Sequence, residues 1–370
     1  MPKDIELNSS SRLYEGCDDS VIMTKRCRGC HKDSDKLLRC SRCQVVYYCS
    51  RQCQTDDFLD HKKICKRIHR HKKDMETEAE ALRSFSEYNE PPTNLFITSA
   101  GQFWRILETR DYMRARLRLS NAIYTLASKV EPSEAPLWEA VIYHEQEMLR
   151  LSDGDNLGMR KRFPFLLLEV NRDDDATCFV YFWMKRDDTI REQMLQVHLG
   201  SSEGDWLYPK EKDARFLDIF HKNDNIDMKN CELSSLVALA TIKMRLVMME
   251  KSHLVILKEF KSTTLGSMVD PVSSVIEGML PGSDPRLEGQ RDQLDRLLDI
   301  IDRNNPTMLP SILNPDPLLC QEKPDSYSTG SPSEAYFVLL NADRVWCRIP
   351  GAMDFLEKRF GKNPIYNSSL

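Results

Sequence analysis

Along most of this 370-residue chain apolar positions recur at three- and four-residue steps, the period of a helix that buries one face. Between Gly101 and Ser128, the pairs Phe103-Trp104, Ile106-Leu107, Tyr112-Met113 and Ile123-Tyr124, with Leu117 and Leu119, predict one amphipathic helix, or two divided near Asp111. A second helix starts at Ser133, read as its N-cap, and has Pro136 in the first turn, where a missing N–H costs nothing. It runs on through Leu137, Trp138, Val141, Ile142, Met148 and Leu149. A third begins near Asp155. Its apolar run Phe165 to Leu168 fits a strand by composition alone, and the helical context on both sides decides for helix. Further helices are expected over Asp173–Trp183, Lys212–His221, Glu232–Ser252, Asp284–Arg303, Ser333–Trp346 and Ala352–Phe360. A charged helix is expected over residues 66–89, ended by Pro91-Pro92.

Consecutive helix pairs recur at roughly 35 to 40 residues, a spacing close to TPR-like helical repeats. No strict repeat of about 34 residues can be written down. A TPR-like array and an irregular helical domain built by the same packing rules both fit.

The N-terminal part breaks this period. Seven of the twelve cysteines and one histidine fall between Cys27 and Cys65 as four pairs: Cys27 with Cys30, Cys40 with Cys43, Cys49 with Cys53, and His61 with Cys65. C-x2-C turns and i,i+4 pairs on helices each deliver two donors to a tetrahedral Zn²⁺, so eight donors make two sites. The spacing leaves sequential and interleaved pairing both open. Leu37, Leu38, Val45, Tyr47, Tyr48, Phe58 and Ile64 are too few to form a core unaided, so metal binding supplies folding energy here. A disulfide framework fits poorly, because a histidine holds one donor position and no apolar signal segment follows Met1-Pro2-Lys3-Asp4. Cys17, Cys178, Cys231, Cys320 and Cys347 are dispersed and read as small core residues or free thiols.

The stretch Val46-Tyr47-Tyr48-Cys49-Ser50-Arg51-Gln52-Cys53-Gln54, followed by His61-Lys62-Lys63-Ile64-Cys65, resembles a MYND-type zinc finger at all eight donor positions. The resemblance implies two structural zinc ions in interleaved sites. Cys27, Cys30, Cys49 and Cys53 would hold one ion, and Cys40, Cys43, His61 and Cys65 the other. It also implies a protein-interaction module whose groove takes short proline-rich peptides. Ser41 and Gln54 match two of the family's groove residues. At the position of the groove tryptophan this chain has Phe58, without the indole N–H. The stretch Asp155 to Arg160, with Phe163 to Leu168, is similar to a segment of fungal proteins that join such a finger to a TPR-like body. That second likeness implies a scaffold role.

The fold class that results is a small two-zinc cross-brace finger followed by a mainly α domain, TPR-like or irregular. The expected organisation is a flexible arm over 1–24, the finger over 25–66, a connecting helix and linker over 67–100, and a helical body over 101–260. A loop follows over 261–283, and C-terminal helices occupy 284–370 with a Pro/Ser-rich loop at 304–332.

Charge follows the same boundary. From Lys25 to Lys73 there are 15 Lys and Arg against five Asp, a formal +10 in a chain of net −5. Seven thiolates and two zinc ions would reduce this to about +7. Lys62, Lys63, Lys66, Arg67, Arg70, Lys72 and Lys73 fall on every face of one helix, which fits a solvated helix better than a base-reading one. A nucleic-acid-associated regulator is therefore a weaker alternative to a protein-binding scaffold.

A second alternative is a SET-type lysine methyltransferase, because MYND fingers also occur inside those enzymes. The chain has no Asn-His dipeptide, and its periodicity is helical where a SET fold is rich in strands. Phosphate loops G-x-x-x-x-G-K-[ST] and G-x-G-x-x-G are missing, as is G-x-S-x-G. His144, Glu145 and Glu147 lack the second histidine of a metalloprotease helix and read as a solvated face; His198, His221 and His253 are isolated. The expectation is a non-enzymatic interaction protein, intracellular, in nucleus or cytoplasm, with protein partners, no membrane span and nucleic acid a lesser prospect.

Overall fold

A computed structural model describes residues 21–34, 36–86, 91–130, 133–185, 188–221, 226–260 and 284–370. Most of the expected arm over 1–24 and the whole expected loop over 261–283 lie outside them. Helices dominate: fourteen α-helices accompany four strands of two residues each among the described residues. The chain divides into two compact units, Asp18–Arg172 with Lys185–Lys210, and Asp173–Met184 with Glu211–Leu370.

The first unit contains the finger. Strands β1 (Val21–Ile22), β2 (Leu38–Arg39) and β3 (Tyr47–Tyr48) are followed by helices α1 (Arg51–Asp56), α2 (Phe58–Arg83) and α3 (Leu95–Thr98). The charged helix thus begins eight residues earlier than its sequence suggests and stops at Arg83. At 26 residues, α2 is about 39 Å long. It carries metal donors in its first turns and packing residues further on, so one helix belongs both to the finger and to the helical packing of this unit.

Helix α4 (Arg110–Ala127) packs against α2 and against α5 (Ala135–Leu151). Tyr112, Met113, Ala115, Leu119, Ile123 and Leu126 are buried at three- and four-residue steps, and each large apolar side chain so buried stabilises by about 1.5–3 kcal/mol. The segment before Asp111 is not a second helix: Phe103–Arg105 and Leu107–Thr109 are single 3₁₀ turns. Buried Thr109 closes them by donating its hydroxyl to the carbonyls of Phe103 and Ile106.

Ser133 is not the N-cap of α5. It lies in β4 (Ser133–Glu134), paired parallel with Val21–Ile22, and its hydroxyl accepts a 2.8 Å bond from Trp138 Nε1. A buried indole N–H left without a partner is costly, so Trp138 takes the hydroxyl that would otherwise cap the helix. Glu134 takes the cap position instead.

The face of α5 expected to be solvated is buried. Glu145 and Glu147 are 0% and 1% exposed. Each is neutralised by an arginine: Glu147 pairs in two-pronged fashion with Arg150 at 2.6 and 2.7 Å, and Glu145 with Arg162. Two buried carboxylates survive without water only because each has a guanidinium against it. Helix α6 (Phe163–Glu169) confirms helix over the run Phe165 to Leu168. Helix α8 (Asp188–Leu199) was not foreseen; its His198 is buried, with Nδ1 2.5 Å from the Arg150 carbonyl.

The second unit comprises most of α7 (Asp173–Lys185), then α9 (Leu233–Phe260), α10 (Gln290–Asn304), α11 (Met308–Leu313), α12 (Asp316–Leu319), α13 (Pro332–Cys347) and α14 (Ala352–Phe360). Helix α9 packs against α10 and α13. The helix expected over Lys212–His221 is only a 3₁₀ turn at Ala214–Phe216. Lys243 Nζ takes the Arg215 and Leu217 carbonyls at 3.0 and 2.7 Å, so they are not available to a continuing helix. Asp213, at φ +63°, also breaks helical geometry in front of it. The loop expected at 304–332 holds α11 and α12, because Met308, Leu309, Ile312 and Leu313 supply a buried face too short to show a helical period in the sequence.

Candidate metal centre

Two knuckles of the same design begin the finger. In each, the residue after the second cysteine is left-handed, His31 at φ +57° and Gln44 at φ +60°. Its N–H returns to the first cysteine's carbonyl, His31 to Cys27 at 2.7 Å and Gln44 to Cys40 at 3.0 Å. This turn brings both thiols of each pair to one side. Gly29 permits the close approach of the first knuckle to α1, since a Cβ there would stand 2.7 Å from the Cys53 carbonyl oxygen.

The hairpin of β2 and β3 pairs Leu38 with Tyr48 and Arg39 with Tyr47. It ends in Cys40 on one strand and Cys49 on the other. Ser50 then caps α1, its hydroxyl accepting from the Cys53 N–H at 3.1 Å, and i,i+4 spacing turns Cys49 and Cys53 to the same side. On α2, the same spacing does this for His61 and Cys65.

These elements gather two clusters, Cys27–Cys30–Cys49–Cys53 and Cys40–Cys43–His61–Cys65, with all donor atoms of each within 4.8 Å of one another. The pairing is interleaved. Cys30 to Cys49 and Cys49 to Cys53 measure 3.6 Å between sulfurs, and Cys40 to Cys65 measures 3.8 Å. Cys43 Sγ lies 3.5 Å from His61 Nε2. A tetrahedron with Zn–S bonds of about 2.3 Å has edges of about 3.75 Å, so both clusters fit zinc. The separations are far too long for disulfides, whose S–S bond is about 2.05 Å. Both sites are structural, because four protein donors fill each tetrahedron.

The second cluster is fully buried, and the first is half-buried apart from Cys27. Around them the apolar core is small: Val46 and Tyr48 are buried, while Leu38 and Phe58 are 62% and 51% exposed. The ions therefore stand in place of a core. The other histidines of this region are outside both clusters. His69 Nδ1 contacts the Arg42 carbonyl at 3.0 Å, and His71 faces Asp74.

Ser41, Gln54 and Phe58 are all exposed. The Phe58 ring is approached by Lys62 Nζ at 5.3 Å, and the adjoining Leu59 is 81% exposed. Sequence reasoning missed Asp57, which receives Tyr48 and Arg28. An aspartate at a helix start gives no signal of such a role beyond its preference for that position.

The arrangement defines a class, the cross-brace finger that folds around two zinc ions. Residues 27–65 match the family described as MYND finger. Over 64 residues the chain is 45% identical to histone-lysine N-methyltransferase SMYD1 of Homo sapiens, covering 17% of this chain and 13% of that one. It is 38% identical over 50 residues to SET domain and MYND-type zinc finger protein 6 of Schizosaccharomyces pombe, 14% of this chain and 10% of that one. With histone-lysine N-methyltransferase SMYD3 of Homo sapiens it shares 37% over 65 residues, 18% of this chain and 15% of that one. These likenesses span a small part of each relative's length. No solved structure matches.

Proposed function

We propose that the chain is a non-enzymatic, intracellular interaction protein: the finger grips short proline-rich peptides through Ser41, Gln54 and Phe58, and the helical body offers a second surface. The observation that carries this reading is the exposure of Leu38, Phe58 and Leu59 on a finger with almost no core, where apolar area is scarce and its loss to solvent costs stability. Saturation of both ions by protein donors supports a structural role for the metal. Thiolate ligation supports a reducing compartment.

The test is capture of a proline-rich peptide by the zinc-loaded chain. Phe58→Ala and Gln54→Ala abolish capture while zinc remains at two per chain; unchanged capture in both variants removes the reading. The named activity of the relatives keeps a methyltransferase as the second reading, although their likeness covers only 17% and 18% of this chain. Thermal stabilisation by S-adenosylmethionine would favour it, and a scaffold shows none. A steep fall of oligonucleotide affinity with salt would favour the nucleic-acid reading.

A further inference from the structure

A cleft of about 350 Å³ opens where the finger's hairpin faces α2, α4 and α5. Its accessible floor is apolar and comes from three elements: Val45 of the finger, Met75 of α2, and Pro136 and Ala140 of α5, each half-buried. Buried Ile68 and Leu119 stand behind them. The rim is basic. Lys25 and Arg39 reach over the Tyr47 ring, Nζ at 5.0 Å and Cζ at 5.7 Å from its centroid, half-buried Lys72 completes the edge, and Arg116 lies buried behind it.

The anions of the cleft do not balance these cations. Glu203 is the one carboxylate among the lining residues, and it is engaged by Arg116 at 3.1 and 3.2 Å and by the Tyr143 hydroxyl at 2.6 Å. Lys72 has Glu76 at 3.8 Å. Lys25 and Arg39 have no carboxylate partner among the described residues, and both are exposed, so pairing them with an incoming anion carries little desolvation cost. On the inner side, the Nδ1 of His144 is buried and lacks a hydrogen-bond partner among the described residues.

We propose that this cleft docks an acidic segment of a partner protein, one bulky apolar side chain entering the floor while flanking carboxylates pair with Lys25 and Arg39. The volume suits one aromatic or leucine side chain with its backbone, at the small end of ligand pockets. Surplus positive charge selects the sign of the partner and speeds its approach. None of Ser41, Gln54 and Phe58 lines the cleft. The proposal gives the second surface of the proposed function a location and a chemistry, and it stands or falls separately from peptide capture by the finger.

Fluorescence polarisation with labelled Gly-Asp-Asp-Phe-Asp-Asp-Gly and the zinc-loaded full chain tests it. Expected is saturable binding that weakens about tenfold or more when the aspartates become asparagine, and likewise when the phenylalanine becomes alanine. The double variant Lys25→Glu, Arg39→Glu loses binding with two zinc ions retained and an unchanged melting temperature. Ala140→Trp fills the floor and loses binding too; Val45→Trp does the same from the finger side if that variant is unstable. Phe58→Ala binds as the parent does. Equal binding of the aspartate and asparagine peptides, no binding at all, or binding untouched in the double variant overturns the proposal. So do tighter binding of a twelve-nucleotide thymidylate, which assigns the cleft to nucleic acid, and binding that emerges only after removal of residues 1–20, which assigns it to that segment.

Discussion

The Tyr48 hydroxyl donates to Asp57 Oδ2 over 2.6 Å, and Arg28 Nε donates to the same oxygen over 3.0 Å. Three pieces of the double metal site meet in this carboxylate. Arg28 lies between Cys27 and Cys30, Tyr48 precedes Cys49, and Asp57 leads into the helix of His61 and Cys65. Tyr48 is 1% exposed, so its hydroxyl has no water to fall back on.

Asp57→Ala is expected to destabilise the finger by about 1–3 kcal/mol, the cost of a buried donor left unmatched, and Tyr48→Phe by about 1 kcal/mol. Zinc release to a chromogenic chelator reads both: the alanine variant should release faster than the phenylalanine variant, and the latter faster than the parent. Equal rates in all three would sink the clamp.

Gly29→Ala places a methyl group 2.7 Å from the Cys53 carbonyl oxygen, closer than packed atoms come. The obstacle is backbone, so the first cluster must open. Elemental analysis should show zinc falling from two per chain toward one, with the second cluster still loaded. Two ions retained at full affinity would refute the close approach.

Removal of zinc should unfold the finger, since its donors and not its apolar residues form the centre. Near-ultraviolet dichroism from Tyr47 and Tyr48 should collapse on adding chelator and return with zinc. A signal unchanged by chelation would show that the region folds without metal.

His144 gives a pH dependence. Burial, with Arg116 and Lys72 nearby, pushes its pKa down from 6.5 to about 3. The folded chain therefore holds the ring neutral where the unfolded chain protonates it, and folding stability falls as pH drops through 6.5 toward 3. In His144→Gln the melting temperature should fall less steeply than in the parent between pH 7 and about 5.5, in samples verified to hold both ions. Parallel slopes would show that His144 is protonated in the fold.

The donors of both metal sites were legible because coordination chemistry writes itself into spacing: C-x2-C turns and i,i+4 pairs are local geometry. Which pair joins which was not legible from spacing. It depends on the hairpin that puts Cys40 and Cys49 at the ends of neighbouring strands, and on α1 folding back against Gly29. Long amphipathic helices such as α4 and α10 were legible by their period. Ser133, Glu145 and the stretch 212–221 misled, each because a side-chain contact outside the local pattern changed the balance. Trp138 claimed the Ser133 hydroxyl, Arg162 made burial of Glu145 tolerable, and Lys243 took the carbonyls that a helix over 212–221 needs.

The sequence alone determined two four-donor zinc sites, a mainly helical body and a basic N-terminal part, since these follow from residue type and short-range spacing. Tertiary structure alone decided the crossing of the donor pairs, the burial of charge along α5, and the meeting of Lys25, Arg39 and Ala140 around one cleft. Those features depend on contacts between residues up to about a hundred positions apart, and a chain's linear order does not record which of many distant pairings has the lowest free energy.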